Sequence, residues 1–401
     1  MQKHITPADA ANAVAVKFVI VTLDSHLAGA TERALPRLQQ ALPGLQLTLH
    51  AAAEWGQNSA ALERCRADIE SADIIVSTML FMEDHIQAVL PSLQARRDDC
   101  DAIVGGMSAG EVIRQTRLGQ FAMTGKEGGL LSLFKRLKGT DKRGGSSGAR
   151  QMAVLRRIPQ ILKFIPGTAQ DVRAYFLTLQ YLLAGSEENI ENLVRFLVNR
   201  YAAGARSCLR GAIKAAPPAE YPDVGVYHPR LEGRVSARIE DLPTPVSDDR
   251  GTVGLLLMRS YVVAGNSAHY DGVISELEDK GLRVIPAFAT GLDARPAIEM
   301  FFKKDKATCV DAVVSLTGFS LVGGPAYSDS KAAEDVLADL DVPYLAAHAL
   351  EFQTLEQWGA SERGLHPVET MMMVAIPEID GATGPTVFGG RSDMAGKGLR
   401  R

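Results

Sequence analysis

The side chains that could do chemistry lie in a few short stretches of the 401-residue sequence. The stretch GNSAHYDG, residues 265–272, combines the amide of Asn266, the imidazole of His269 and the carboxylate of Asp271. His26 directly follows an apolar run in TLDSHLAG. Histidine titrates near neutral pH and can bind a metal or carry a proton, so these four residues are the candidate substrate-binding residues. Helix capping beside a surface histidine is the alternative interpretation of the first stretch.

A third stretch, GMSAG at residues 106–110, matches the G-x-S-x-G pattern of the nucleophile elbow in α/β hydrolases. An apolar run precedes it, and a helix is expected to start near Glu111. The pattern predicts Ser108 as the nucleophile of a serine hydrolase, which would also need an acid and a histidine. No spacing in the chain selects those partners. A tight strand-to-helix turn explains the same glycines by steric need alone.

Composition and charge argue against several classes of protein. The chain has 43 basic and 47 acidic residues and a net charge of −4, which argues against a nucleic-acid binder. Its four cysteines are scattered without a C-x-x-C pair, so we expect reduced thiols, a cytoplasmic location and no metal framework. We also expect no signal peptide and no integral membrane segment, because no apolar run approaches about 18 residues.

Apolar runs of strand length alternate with stretches of helix length in both halves of the chain. The runs are residues 17–24, 45–52, 72–80 and 100–108, then 252–260, 283–289, 311–318 and 342–350. Strands and helices in alternation predict parallel sheets that are covered on both faces. The predicted class is therefore α/β, with two doubly wound, flavodoxin- or Rossmann-like domains. Ligands of such sheets bind where the strands end, which is where the candidate residues lie.

The clearest helix is predicted in AGSEENIENLVRFLVNRYA, residues 184–202. Ser186 can cap its first turn, and the carboxylates of Glu187 and Glu188 suit the positive end of the helix dipole. These two acids are therefore predicted to be structural rather than catalytic.

A helical and basic region is predicted between the two domains. Residues 135–163 hold nine Lys or Arg and one acid, a local balance of +8. The predicted division is an N-terminal domain over 1–134, a basic, helical and Pro-rich connection over 135–235, and a second domain over 236–401 that is truncated at its C-terminal end. The basic side chains predict docking of an acidic partner or an anionic ligand, with a solvated loop as the alternative. The residues singled out are Arg136, Lys138, Lys142 and Arg143.

Seven longer stretches together resemble the large porphyrin-binding (H) subunit of magnesium chelatase. They are VTLDSHLAGA, GSEENIENLVRFLVNRYA, RSYVVAGNSAHYDGVI, GLRVIPAFATGLDARPAI, VDAVVSLTGFSLVGGPAY, PYLAAHALEFQTLEQW and MMVAIPEIDGATGP. The second half is similar, more loosely, to the large subunit of cobaltochelatase. The resemblance extends over nearly the whole chain, which matches roughly the N-terminal third of a family member.

The resemblance implies a ligase that forms nitrogen–metal bonds, inserting Mg²⁺ into protoporphyrin IX for chlorophyll or bacteriochlorophyll biosynthesis. Protoporphyrin IX and Mg²⁺ are the implied substrates, and AAA+ partner subunits are implied to hydrolyse ATP, which this chain does not bind. The family's metal-insertion residues are implied to lie mostly beyond Arg401, so no catalytic residue transfers to this sequence. The chain alone is expected to be inactive, and a docking or regulatory module is the alternative. Under the resemblance, the basic connection is expected to face the ATPase subunits, and the porphyrin propionates are the less favoured partner.

Overall fold

The structure, a computed structural model, describes residues 14–56, 58–123, 156–244, 250–324 and 327–392. The chain divides into two compact units, and the described residues up to Ala219 form the first while those from Glu220 onward form the second. The described part of the predicted connection is therefore divided between the two units. The boundaries at residues 134 and 235 stay predictions.

The first unit contains a six-stranded sheet in the order β2-β1-β3-β4-β5-β6. Its strands are β1 (Val16–Thr22), β2 (Leu45–Ala51), β3 (Ile74–Thr78), β4 (Ala102–Gly106), β5 (Arg117–Leu118) and β6 (Phe121–Ala122). Its helices are α1 (Ala28–Ala41), α2 (Ser59–Ser71), α3 (Glu83–Arg96), α4 (Gly110–Ile113), α5 (described over 156–162), α6 (Thr168–Leu183) and α7 (Glu187–Tyr201). Strands β1 to β4 are parallel, and β5 and β6 add an antiparallel edge.

The parallel strands of the first unit form because their residues are apolar on both faces. Phe18, Val19, Ile20 and Val21 are all completely buried, which requires cover on both sides of β1. Helix α7 begins as predicted, since the Ser186 side chain accepts a hydrogen bond from the Asn189 amide at 3.2 Å.

The second unit contains a seven-stranded sheet in the order β17-β16-β13-β9-β10-β7-β8, and two small hairpins. Its strands are β7 (Val224–Tyr227), β8 (Val235–Ser236), β9 (Thr252–Met258), β10 (Arg283–Ala289), β11 (Lys303–Lys304), β12 (Ala307–Thr308), β13 (Ala312–Ser315), β14 (Gly323–Gly324), β15 (Tyr327–Ser328), β16 (Tyr344–Leu350) and β17 (Thr383–Gly390). Its helices are α8 (Arg259–Val263), α9 (Ala268–Asp279), α10 (Arg295–Ala297), α11 (Ser330–Leu340), α12 (Leu355–Gly359), α13 (Pro367–Glu369) and α14 (Ile376–Ile379). Single π-helical turns follow α10 at Ile298–Phe302 and α13 at Thr370–Ala375.

The two sheets share one topology. In the second unit the parallel strands β9, β10, β13, β16 and β17, counted in chain order, lie in the order 2-1-3-4-5, and β1 to β4 of the first unit lie in the order 2-1-3-4. This order is typical of flavodoxin-like doubly wound sheets. The predicted α/β class is confirmed, while the antiparallel edges were not predicted. Among the described residues, no helix is both long and apolar enough to cross a bilayer.

Candidate functional site

The carboxyl edge of the second sheet carries a pocket at its topological switch point. The strand order reverses between β9 and β13, and an open α/β sheet forms a crevice where the neighbouring loops leave on opposite faces. The pocket encloses about 390 Å³ of empty space, part of it open to solvent. Its walls come from the ends of β9, β10 and β13 and include Met258, Phe288, Ala289, Ser315 and Thr317.

Two of the loops that line this pocket are joined by hydrogen bonds. The Ala294 amide donates to the Leu321 carbonyl at 3.0 Å, and the Gly323 amide donates to the Leu292 carbonyl at 2.7 Å. The loops after β10 and β13 are thereby tied together over the end of β9. They give the pocket a fixed rim.

The loop after β13 is rich in hydroxyl groups, and a carboxylate of the same chain accepts hydrogen bonds from it. The Asp380 carboxylate accepts hydrogen bonds from the Ser320 hydroxyl and the Leu321 amide, each at 2.7 Å. Ser315 and Thr317 both line the pocket, and their hydroxyls share a hydrogen bond of 2.9 Å. The described donors at residues 320 and 321 therefore bind an internal carboxylate.

A second buried carboxylate holds the loop after β16 in the same way. The Glu369 carboxylate accepts from the Glu351 amide at 2.6 Å and the Phe352 amide at 2.9 Å, and its side chain is completely buried. Burial raises the pKa of the Glu369 carboxyl, against the opposing effect of the two amide donors. Glu369 and Asp380 therefore fix the two ends of residues 367–380, which we call the methionine strap.

His348 lies close to the methionine strap. It is on β16 and 1% exposed, and neither ring nitrogen has a hydrogen-bond partner in the described part of the chain. A Cβ atom placed on Gly318 would lie 3.6 Å from His348 Cβ and 3.3 Å from Met373 Cγ, so the three residues are close neighbours. Burial lowers the pKa of the His348 imidazole because the charged form loses its hydration. The sequence places His348 at the end of a strand run but gives no sign of this burial.

Asn266 and His269, which the sequence predicts at a binding loop, are both buried. Asn266 is 3% exposed, and the His269 ring packs among three aromatic rings. The ring centres of Tyr270, Phe388 and Tyr261 lie 3.9, 5.7 and 5.8 Å from that of His269. The apolar surface of the imidazole thus contributes to the core that joins α9 to the sheet.

Asp271 fixes the first turn of α9 to the antiparallel edge of the sheet. Its carboxylate pairs with the Arg234 guanidinium at 2.6 Å and accepts a hydrogen bond from the Tyr227 hydroxyl. Tyr227 also shares a hydrogen bond of 2.8 Å with Ser267, just before the helix. The structure therefore brings Asn266, His269 and Asp271 together around one helix start, and Asp271 is engaged in a structural network.

His26 belongs to the first unit, so it is described separately from the other three candidates. It lies in the loop after β1, is 4% exposed, and contacts the Asp24 carboxylate through both its backbone amide and Nδ1. The loop is at the switch point between β1 and β3. His26 is thus at the edge where doubly wound sheets bind ligands.

Ser108 is held by its own turn. Its hydroxyl donates to the Gly106 carbonyl at 3.0 Å and accepts from the Leu80 amide at 3.1 Å, so it links the ends of β3 and β4. The left-handed backbone lies one residue earlier, at Met107, whose φ is 47°. The described hydrogen bonds of Ser108 go to these backbone groups and not to a histidine. The geometry favours the tight-turn interpretation over the nucleophile elbow.

The remaining candidates lie outside the described residues. Arg136, Lys138, Lys142 and Arg143 fall in the interval 124–155. Across the residues that are described, no group of three or more His, Cys, Asp or Glu side chains is arranged to hold a metal ion.

Two doubly wound sheets with polar groups at their carboxyl edges define an α/β protein of the class that binds small ligands at those edges. The chain belongs to the CobN/Magnesium Chelatase family, because the model of that family matches residues 179–400. A second family model, described as a domain of unknown function (DUF3479), matches residues 17–176. The resemblance stated from the sequence is therefore confirmed.

Similar proteins carry chelatase names. The chain is 54% identical to the magnesium-chelatase H subunit of Cereibacter sphaeroides over 94% of its own length and 31% of that protein. It is 37% identical to the chloroplastic magnesium-chelatase ChlH protein of Oryza sativa subsp. indica over 82% of its length and 24% of that protein. A solved catalytic subunit of cobaltochelatase from Mycobacterium tuberculosis aligns with a TM-score of 0.45 and 18% identity, covering 93% of this chain and 25% of that one. The chain spans less than a third of the length of these proteins.

Proposed function

We propose that this chain is part of the porphyrin-binding subunit of a magnesium chelatase, a ligase that forms nitrogen–metal bonds. The observation that carries the proposal is the 54% identity to a magnesium-chelatase H subunit over 94% of this chain. Identity of that extent preserves the chemistry of most side chains as well as the fold. The function of the relative is therefore the best-supported function for the protein that contains this chain.

The proposed reaction inserts Mg²⁺ into protoporphyrin IX, for chlorophyll or bacteriochlorophyll biosynthesis. Two pyrrole N–H protons must leave the ring, so a base is needed, and Mg²⁺ must shed firmly held water before it binds nitrogen. We assign the free energy that drives these steps to ATP hydrolysis by AAA+ partner subunits, and we assign the holding of the porphyrin to the subunit that contains this chain.

The carboxyl edge of the second sheet is proposed as one wall of the porphyrin cleft. Its pocket has apolar walls and the hydroxyls of Ser315 and Thr317, which suits an apolar ring with polar substituents. Asn266 and His269 would shape this edge from within because both are buried, and Asp271 would fix the start of α9. His26 would serve the carboxyl edge of the first sheet.

The basic residues of the connection are proposed to dock the ATPase subunits. The sequence supports this through the local balance of +8 over residues 135–163, which would attract an acidic surface. Changing Arg136, Lys138, Lys142 and Arg143 together to Glu should weaken partner binding in a pull-down at low salt. If the change affected neither partner binding nor porphyrin affinity, this assignment would be wrong.

The proposed activity can be tested in a chimera. This chain would replace the matching part of the Cereibacter sphaeroides relative, and the chimera would be assayed with its partner subunits, ATP and a soluble porphyrin. We expect Mg-porphyrin fluorescence to grow only when ATP and Mg²⁺ are both present. Chelation of Co²⁺ in preference to Mg²⁺ would instead assign the chain to the cobalt-inserting branch of the family.

Porphyrin binding to the isolated chain can be followed by quenching of Trp55 and Trp358. We expect saturable binding of deuteroporphyrin, with a loss of about tenfold in affinity for Thr317→Val, because a hydroxyl at the pocket wall is removed. Thr48→Val is the matched control, since Thr48 lies on β2 in the other unit. No binding by a folded chain would favour the alternative, a docking or regulatory module of the same complex.

The hydrolase alternative has a separate test. A fluorophosphonate should fail to label Ser108, whose hydroxyl is engaged with the Leu80 amide and the Gly106 carbonyl. Labelling that disappears in Ser108→Ala would revive the serine hydrolase. A cytoplasmic location remains a prediction, and the name of the rice relative places that protein in the chloroplast.

A further inference from the structure

The start of helix α1, directly after the first strand of the first unit, lacks the groups that usually satisfy a helix start. It has neither a side-chain cap nor an acid in its first turn, whereas α7 of the same unit has the Ser186 cap and two acids. Among the described hydrogen bonds, none is donated by the amides of Gly29 or Ala30, and both residues are buried. Two buried donors therefore lie at the positive end of a helix dipole.

Two threonine hydroxyls at the ends of β1 and β3 lie on the same side of the sheet as α1. Val21 pairs with Ser77, so Thr22 and Thr78 follow side by side. Val21 packs in the core cluster that α2 and α3 form with the sheet. Side chains alternate along a strand, so Thr22 faces the other side, where a right-handed crossover places α1. Thr22 is completely buried, Thr78 is 1% exposed, and neither hydroxyl has a hydrogen-bond partner within the described ranges.

A third buried hydroxyl comes from helix α6. The Tyr175 hydroxyl donates to a carbonyl at the end of β4 at 3.2 Å. A Cβ atom placed on Gly106, the register partner of Thr78, would lie 2.5 Å from Leu179 Cδ2. Thr178 shares this face of α6 with Tyr175 and Leu179, because residues three and four apart are neighbours on a helix. It is completely buried, and its hydroxyl likewise has no partner in the part of the chain that the structure describes.

The donors at this edge indicate the chemistry of a ligand. Backbone amides can only donate, and the three threonine hydroxyls can all rotate to donate. The acid of the preceding loop, Asp24, contacts the amide and Nδ1 of His26. Buried polar groups are normally hydrogen-bonded, so a group rich in acceptors is expected beside these donors. A tetrahedral oxyanion has this property, and helix starts of α/β sheets are known to bind such ions.

We propose that the switch point of the first sheet binds a small oxyanion, inorganic phosphate or sulfate, between the start of α1 and the hydroxyls of Thr22, Thr78 and Thr178. Doubly wound sheets bind ligands at this point. A free ion fits better than a phosphate ester, because the residues that form the site are all buried and an ester needs an opening for its organic part. The site lies in the unit that the DUF3479 model matches, and the proposal does not depend on the proposed chelatase function.

Equilibrium dialysis of the 401-residue chain against radiolabelled phosphate tests this proposal. Wild-type protein should bind phosphate saturably, and unlabelled sulfate should displace the label. Thr22→Val should weaken binding about tenfold, because a hydroxyl donor to a charged oxygen is lost. Thr22→Ser keeps that donor and should bind as wild type does. Phosphate released by acid denaturation would also be counted, so that an ion retained through purification is detected.

The matched control is Thr48→Val. Thr48 lies on β2 of the same sheet, and its hydroxyl also has no partner among the described residues, so this variant should bind phosphate as wild type does. Far-ultraviolet circular dichroism would establish folding, and Thr78→Val would replace Thr22→Val if the latter did not fold.

Three outcomes would contradict the proposal. Folded wild-type protein that neither binds nor releases phosphate would mean that water alone satisfies these donors. Equal losses in Thr22→Val and Thr48→Val would place the binding elsewhere. Displacement by methyl phosphate as strong as that by sulfate would overturn the restriction to a free ion. None of these outcomes would affect the chimera assay for chelation.

Discussion

His348 illustrates how a single buried residue contributes to the pH response of the second unit. It has no hydrogen-bond partner among the described residues, and burial lowers the pKa of its imidazole from the ordinary value of 6.5. The unfolded chain therefore takes up a proton at a higher pH than the folded chain does. The contribution of the neutral His348 to the free energy of unfolding is therefore fully present above about pH 6.5. It is lost as the pH falls below that value.

A substitution at His348 should remove part of this pH dependence. In a Trp55→Phe background, Trp358 alone would report urea unfolding of the second unit at about pH 7.5 and 5.5. We expect His348→Gln to lose less stability than the parent protein between these two conditions. His50→Gln, in the first unit, should leave the Trp358 transition unchanged. An equal loss in His348→Gln and the parent would contradict the assignment.

The Asp271 network is a second prediction at the residue scale. Asp271→Asn should lower the free energy of unfolding by about 1 kcal/mol, because the ion pair with Arg234 is partly exposed and screened by solvent. Glu276→Gln, which removes an exposed pair with Lys280 on the same helix, should have no measurable effect. Denaturation with the Trp358 probe measures both. If Asp271→Asn instead kept full stability and lost porphyrin affinity, Asp271 would be a binding residue.

At the scale of elements, the methionine strap depends on carboxylates at its ends. Glu369 satisfies two buried amides after β16, and Asp380 satisfies the Leu321 amide and the Ser320 hydroxyl after β13. Met372 and Met373 are buried between these ends, whereas Met371 is exposed. The π-helical turn over 370–375 lies in the same segment. The strap is therefore a short cover fixed at two points.

Two substitutions at Glu369 should have different effects because of this arrangement. Glu369→Ala leaves two buried amides without an acceptor and should cost about 3 kcal/mol of unfolding free energy. Glu369→Gln retains an acceptor oxygen and removes a buried charge, so we expect a change within about 1 kcal/mol. Thermal and urea unfolding would measure the difference. Equal losses in the two variants would mean that the carboxylate charge, rather than its acceptor geometry, holds the strap.

At the scale of the whole molecule, each of the two compact units has its own sheet and its own core. Trp55 packs in a core cluster of the first unit, and Trp358 lies on α12 of the second. Each tryptophan can therefore report one unit. A local change in one unit is expected to move only the transition that its own tryptophan reports.

Two glycine substitutions make this prediction quantitative. In Gly105→Ala the added Cβ would lie 2.2 Å from the Val112 carbonyl oxygen, so we expect a loss of about 2 kcal/mol in the Trp55 transition alone. In Gly272→Ala the added Cβ meets nothing within 4 Å inside α9, so we expect a gain of about 0.5 kcal/mol in the Trp358 transition alone. Single-tryptophan variants would resolve the two transitions. Joint movement of both would mean that the units unfold together.

The sequence by itself determined the elements that rest on local pattern. Strand β10 was predicted over the observed residues 283–289, and α7 begins after the Ser186 cap as expected. A parallel strand that is buried on both faces is specified by a contiguous run of apolar residues, and a capped helix by its cap and the residues that follow. A local pattern therefore predicts both. The long family motifs likewise need only the order of residues, and the family they indicated is confirmed.

The tertiary structure alone decided what the polar side chains do. The Ser108 hydroxyl accepts a hydrogen bond from the Leu80 amide. The Glu369 carboxylate accepts from the amides of Glu351 and Phe352. The Asp271 carboxylate, at the start of α9, pairs with the Arg234 guanidinium. The antiparallel edge strands and the methionine strap were likewise not predicted. Each of these contacts joins residues that are far apart in the chain, and burial of a side chain depends on every neighbour that surrounds it. A local pattern identifies candidate chemistry, but whether a side chain remains available for a ligand is decided by where its hydrogen-bond partners fold.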